Sequence, residues 1–271
     1  MQLGELGWRH AVAATVRPEL VVVLAPARDG CSGLLQRLEP VLVEALVAEL
    51  AVEALCRAVL PGLARIDQGH VEILARGPRS YLGVELDADA ADTAALVAGQ
   101  DNVRVGDAAH TGLPDGSADV VISEAMLTMQ SAADKSTIAR EVFRTLAPGG
   151  RWGLHELSLK PDDVDQSVVD QISKALSRTI KVGARPLTTR AWTELVTEAG
   201  FEIEWTDHHP MKLLSPTRII ADEGLRGALR FFNNVRRNPQ ARQRIMAMRK
   251  VFRANQDHLE AVALIARKPE R

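Results

Sequence analysis

SYLGVELDAD (Ser80–Asp89), NVRVGDAAHTGLPDGSADVVISEAM (Asn102–Met126) and LAPGGRWGLHEL (Leu146–Leu157) decide the fold of this chain. They read as apolar strands, the first two ending in carboxylates and the last in His155-Glu156. Apolar strands separated by helical segments indicate a parallel sheet covered on both faces. In such a sheet ligands collect at the carboxyl ends of the strands, so the acids there are the first place to look for function.

Working outward, Tyr81–Leu86, Asn102–Val105, Ala118–Ser123 and Arg151–Leu157 are the predicted strands of this central stretch. Ala88–Ala98 is alanine-rich and helical. Ser136–Leu146 carries Ile138, Ala139, Val142, Phe143 and Leu146 at helical spacing and stops at Pro148-Gly149-Gly150. Downstream, a polar helix over Asp163–Ser177 interrupts the alternation. It resumes with a helix over Thr189–Ala199 and strands at Phe201–Trp205 and Ala261–Arg267. Upstream, Leu63–Asp67 is a short strand candidate and His70–Arg76 a helix candidate, giving a right-handed βαβ unit with Tyr81–Leu86. Glu19–Ala25 reads as either a strand or a short buried helix, and Ala27–Gly33 as a turn. Residues 1–60 are expected to form an N-terminal helical cap. Residues 61–271 are the sheet domain, with helical insertions over about 160–188 and 214–256.

The 271 residues suffice for one large domain, and 46% hydrophobic with 25% charged residues is the balance of a soluble globular protein. A net charge of -2 gives no general attraction to nucleic acid. The apolar run Pro40–Leu60 carries Glu44, Glu49, Glu53 and Arg57, which make it a packing helix rather than a membrane span. Cys31 and Cys56 make no disulfide framework, no CxxC pair suggests a metal, and the first ten residues lack a signal-peptide pattern, so a cytoplasmic location is expected.

A carboxylate at the tip of the second strand can accept hydrogen bonds from both hydroxyls of a ribose. Glu85 occupies that place, and Asp107 lies 22 positions further on, at the end of the next strand, suited to an adenine amino group. Strand-end acids also cap helices or stand in solvent. The pair in register with LPDGSADVVIS and LAPGG favours a nucleoside site.

These segments together resemble the class I S-adenosylmethionine-dependent methyltransferases, particularly the small-molecule group like the ubiquinone and sterol methyltransferases. The resemblance runs from Leu63 to Leu157 and extends through AWTELVTEAGFEIEW and AVALIARKP. It implies a doubly wound, seven-stranded, mostly parallel α/β sheet, closed at one edge by an antiparallel pair. It also implies S-adenosylmethionine as cofactor, S-adenosylhomocysteine as product and a small-molecule methyl acceptor. Carried over residue by residue, Glu85 is the ribose acid, Leu86 the apolar contact to the adenine, and Asp107 with Ala108 the holders of the adenine edge. Ser123 and Glu124 face the methionine part and the methyl donor. The family's acidic glycine-rich loop aligns with Asp67 and Gly69, but only 18 positions separate Asp67 from Glu85, about four or five fewer than the family pattern. Gly30 and Gly33 are a rival glycine loop that requires a large insertion.

Methyl transfer from a sulfonium is an in-line displacement that needs positioning and, for some acceptors, a base. His155 is the expected base, with Glu156 as its orienter; the alternative is a satisfied polar residue at a strand end. His208-His209 read as a solvated turn, without a third ligand for a metal. Met126 and Met129 suit either an adaptable pocket or plain core. The arginines of Arg218–Arg253 line the outer face of an amphipathic helix pair, or receive an anionic substrate or partner surface. The expected partners are the methyl acceptor and a second copy in a homodimer, with no nucleic acid and no membrane span. Two other classes stand beside this reading. One is a non-catalytic protein of the same fold that has lost cofactor binding. The other is a nicotinamide-dependent oxidoreductase, which would carry a GxGxxG after the first strand, a motif absent here.

Overall fold

The protein is described from a computed structural model covering residues 20–24, 80–98, 100–180, 182–210, 236–237 and 239–270. The expectations for Pro40–Leu60, Leu63–Asp67, His70–Arg76 and the first part of the second insertion fall outside these residues.

The strands in chain order are β1 (Leu20–Leu24), β2 (Ser80–Glu85), β3 (Val103–Val105), β4 (Ala118–Glu124), β5 (Leu146–Leu159), β6 (Leu187–Thr188), β7 (Glu202–Pro210) and β8 (Leu259–Arg267). They form one sheet in the order β3-β2-β1-β4-β5-β8-β7, with β6 paired to β5 off this path. The pairings among β1 to β6 are parallel, and β8 runs antiparallel to both β5 and β7. The doubly wound α/β sheet with an antiparallel edge is the architecture the resemblance implied, with the two-residue β6 as an addition.

One correction concerns the centre of the sheet. The place between β2 and β4, where Leu63–Asp67 was expected, is filled by Leu20–Leu24, whose Leu24 pairs with Val84 on one side and Ser123 on the other. Its sequence LVVVL is uniformly apolar, the composition typical of strands inside a parallel sheet. So short a run carries no period that would separate it from the helical cap expected over residues 1–60.

The helices are α1 (Ala88–Ala98), α2 (Ala132–Thr145), α3 (Gln166–Ile180), α4 (Thr189–Glu198) and α5 (Pro239–Ala254). Helix α2 begins four residues before its expected start, because the Ser131 hydroxyl accepts from the Asp134 amide as an N-cap. At its other end the Lys268 ammonium donates to the Phe143 and Leu146 carbonyls, both at 2.7 Å. The tight exit into β5 also explains Gly150: a Cβ there would stand 2.8 Å from the Ala147 carbonyl oxygen and 3.0 Å from that of Asp119.

Side chains alternate across the sheet. One face packs Val121, Trp152, Leu154, Val262 and Leu264 against Ile138, Val142, Trp192 and Val196 of α2 and α4. On the other face, Ile122 and Trp205 pack against Ala263 and Ile265. A second apolar cluster joins Ile172 and Leu176 of α3 to Phe252 of α5, over Leu159 and Leu259 at the end of the β5-β8 pair. In α5, Met248 and Phe252 turn inward while Arg242, Lys250 and Arg253 are exposed, as the amphipathic reading of the insertion expects.

Candidate active site at the ends of β2, β4 and β5

The strand order reverses beside β1: the chain goes from β1 outward to β2 and β3, then returns to the far side at β4. Beyond the carboxyl ends of the strands, such a switch point leaves a crevice. Glu85 is the last residue of β2 and Glu124 the last of β4, each one step past the pairings with Leu24. By strand alternation both carboxylates lie on the same face, two strand spacings or about 10 Å apart.

At the β2 end, Glu85 is buried and its Oε1 accepts the Asp87 amide at 3.1 Å. Leu86 beside it is 42% exposed, an apolar surface among acids of the kind a flat ring covers. Glu85 also pairs with Val105, which brings the end of β3 alongside. Asp107, two residues on, accepts the Ala109 amide at 2.8 Å through Oδ1, and its side chain is 55% exposed. Ala108 packs partly buried against the main core. The loop is tied down from behind: Glu141 of α2 accepts the Thr111 amide at 2.8 Å and its hydroxyl at 2.6 Å, and also pairs with Arg144. Burial pulls the Glu141 carboxyl up, but the hydrogen bonds from Arg144 and Thr111 outweigh it and hold it at about 2.

At the β4 end the two neighbours Ser123 and Glu124 diverge, as adjacent strand residues must. Ser123 is fully buried and its hydroxyl accepts the Trp152 indole N–H at 2.9 Å. Its side chain is therefore committed to the core, not to a ligand. Glu124 emerges on the opposite face, in register with His155 of β5, and its Oε1 lies 3.2 Å from His155 Nδ1. The side chains of Glu124 and His155 are only 11% and 16% exposed. Burial pushes the Glu124 carboxyl up, opposed by its hydrogen bond and attraction to His155. Its second oxygen, Oε2, is buried and has no hydrogen-bond partner among the described residues.

Glu156 does not orient His155; Glu124 does. The alternation of β5 sends Glu156 to the other face, where it is completely enclosed. There Oε1 accepts the amides of Met126 and Leu127 at 3.0 and 2.7 Å, and Oε2 accepts the amide and hydroxyl of Thr128 at 3.0 and 2.6 Å. These bonds hold the chain as it leaves β4 through Ala125, which adopts a positive φ of 46°. Burial pushes the Glu156 carboxyl up, and the hydrogen bonds from Thr128 and Leu127 oppose it. Lys135 of α2 completes the clamp by donating to the Gln130 and Arg185 carbonyls, both at 2.9 Å, and burial lowers its ammonium to about 8. Met126 is core, not pocket lining.

Other sequence expectations sort simply. Asp67, Gly69, Gly30 and Gly33 lie outside the described residues. His208 and His209 are within β7 instead of a turn, and His208 Nδ1 lies 2.9 Å from Glu260 Oε1. No group of three or more metal-ligating side chains occurs among the described residues. The contact that sequence reasoning missed is Glu124 with His155. β5 runs on to Leu159, so His155 does not end its strand as expected; it meets Glu124, the last residue of β4, because the two are in register with the same parity.

Residues 68–153 match the methyltransferase domain family. This match begins at residue 68, beyond β1, and takes in Gly69 but not Asp67, whereas the sheet has its central strand at Leu20–Leu24. An uncharacterized protein of Haemophilus influenzae is 33% identical over 171 residues, 62% of this chain and 66% of that protein, just short of two thirds of its length. A putative sarcosine dimethylglycine methyltransferase from Galdieria sulphuraria superposes with a TM-score of 0.59 at 15% identity, covering 98% of this chain and 83% of that one. A putative methyltransferase from Bacillus halodurans does so at 0.54 and 17%, covering 98% and 99%. Phosphoethanolamine N-methyltransferase 2 of Haemonchus contortus, solved with phosphomonomethylethanolamine and S-adenosylhomocysteine, gives 0.57 at 12% identity over 99% of this chain and 53% of that one. At these identities the superpositions establish the fold. The sheet is thus of the fold these methyltransferases share, and residues 68–153 match a methyltransferase domain.

Proposed function

We propose that the protein transfers a methyl group from S-adenosylmethionine to a small-molecule acceptor. The observation that carries this reading is the pair of strand-end carboxylates, Glu85 and Glu124, flanking the end of β1 on one face with His155 beside the second. The residues fit the cofactor: Glu85 would take the ribose hydroxyls, exposed Leu86 the adenine face, and Asp107 with Ala108 the adenine edge. When bound, S-adenosylmethionine supplies an electrophilic methyl on its sulfonium.

The chain's own residues do the rest. Because Nδ1 of His155 faces a carboxylate, the hydrogen sits on Nδ1 and donates to Glu124 Oε1, leaving Nε2 as the proton acceptor. The Glu156 clamp holds Ala125–Thr128, and so the exit of β4, in one geometry, the positional precision that in-line displacement needs. The glycine-rich loop of this reading follows β1; in sequence Gly30 and Gly33 come after Leu24 well before Gly69. The proposed organisation is one sheet domain with helical insertions, in which part of the first 60 residues supplies the central strand.

Calorimetric titration with S-adenosylhomocysteine tests the proposal. Binding by the wild type is expected, with affinity about tenfold or more weaker in Glu85→Ala from loss of a buried acceptor. No binding by the folded wild type would favour a protein of this fold without cofactor chemistry.

A further inference from the structure

The acceptor's chemical class is written in the Glu124–His155 pair, and the inference rests on the methyltransferase reading above. With Nδ1–H turned to Glu124 Oε1, two acceptors remain: Nε2 of His155 and Oε2 of Glu124, which is buried and has no partner among the described residues. Among the described residues no cation faces them: the Glu124 carboxylate has only His155 as a pairing group, and Lys135 is bound to backbone carbonyls in the clamp. A carboxylate left half-satisfied in a buried place costs stability unless something bound there satisfies it.

We infer that this something is the methyl acceptor itself, and that it is an amine, bound as an ammonium that donates one N–H to Glu124 Oε2 and another to His155 Nε2. A hydroxyl or thiol acceptor has a single hydrogen and cannot satisfy both atoms, and it brings no charge to balance the carboxylate. An ammonium brings both. The reaction then balances. One ammonium proton passes to His155 Nε2, and the freed nitrogen lone pair forms the N–CH3 bond. The S–CH3 bond breaks with its electron pair going to sulfur, leaving neutral S-adenosylhomocysteine and an N-methylated ammonium. The Glu124 carboxylate stabilises the imidazolium formed on the way.

The test reads binding, so it does not need the acceptor. Sinefungin is an analogue of S-adenosylhomocysteine that carries an ammonium at the place of the transferable methyl, while keeping the methionine ammonium common to both. Wild-type protein should bind sinefungin about tenfold or more tighter than S-adenosylhomocysteine, as a charge-assisted hydrogen bond provides. In Glu124→Gln, which keeps the size and loses the charge, the ratio of the two affinities should fall to about one. Equal affinities in the wild type, or a preference for sinefungin that survives in Glu124→Gln, would overturn the inference. A parallel loss of both ligands in the variant would also overturn it, since Glu124 would then hold the methionine ammonium. Failure of the wild type to bind either ligand would remove the cofactor reading and this inference with it.

Discussion

Replacing Glu156 by glutamine tests the clamp under the exit of β4. In the wild type each carboxylate oxygen accepts two hydrogen bonds, four in all, and the side chain is 2% exposed. A glutamine keeps one carbonyl oxygen and puts an NH2 group in place of the other. With the oxygen left on the Met126 and Leu127 amides, the Thr128 hydroxyl can rotate to accept from the new NH2, but the Thr128 amide then faces a donor. Turned the other way, two backbone amides are stranded instead of one, so the first arrangement wins. One buried amide without a partner costs about 1–3 kcal/mol, and the remaining bonds lose their charge assistance, so the total is about 2–4 kcal/mol. Urea unfolding should show a lower midpoint at unchanged slope. Hydrogen exchange should accelerate at Met126, Leu127 and Thr128 more than at Leu154 or Leu264 in the core. A midpoint equal to wild type with unchanged exchange at these three amides would refute the clamp.

Other perturbations probe other parts of the structure. Glu141 is held well below the ordinary carboxylate value of 4.5, so its ionised form contributes stability above that pH, which is lost as pH falls from about 4.5 toward 2. Glu141→Gln should remove about 1–3 kcal/mol at neutral pH and flatten this acid limb in pH-dependent denaturation, whereas an unchanged limb would place the acid lability elsewhere. Gly150→Ala drives a Cβ against two backbone oxygens, and a loss on the order of 2 kcal/mol in thermal unfolding is expected, with wild-type stability the contrary result. His155→Ala should lower turnover about a hundredfold or more while leaving S-adenosylhomocysteine affinity near wild type, and an unaltered rate would remove the histidine from proton transfer.

The sequence was most legible where pattern and turn chemistry agreed. Strands β2 and β4 and helix α1 lie where periodicity placed them, because each has an amphipathic or bounded pattern, whereas Pro148-Gly149-Gly150, expected as the break before a strand at Arg151, lie inside β5, which begins at Leu146. What failed did so for identifiable reasons. The five residues of β1 are apolar on both faces, so no period separates them from a buried helix. Glu156 was paired with His155 because they are adjacent in sequence, whereas adjacency in a strand means opposite faces, and that parity also hid the Glu124 partner. Ser123 looked like a ligand contact from its place in the family pattern, but Trp152 required a hydrogen-bond acceptor inside the core. Leu187–Thr188 was missed because two residues are too few to carry a strand pattern.

The central position of β1 also shapes how the chain assembles. Its partners are far along the sequence: Val21 pairs with Tyr81 and with Val120, so neither contact forms until long loops have closed. Such distant pairings slow folding, and a growing chain exposes the LVVVL segment before any strand exists to cover it. An apolar, uncharged run of that kind is a site for self-association while it waits. The β5-β8 pairing is just as distant in sequence, with Leu154 meeting Leu264, so the sheet depends on several long-range contacts and not on β1 alone. Once in place, the five residues of β1 lie between β2 and β4 and set the spacing at which Glu85 and Glu124 end their strands, so the central strand fixes the width of the crevice without lending it an acid.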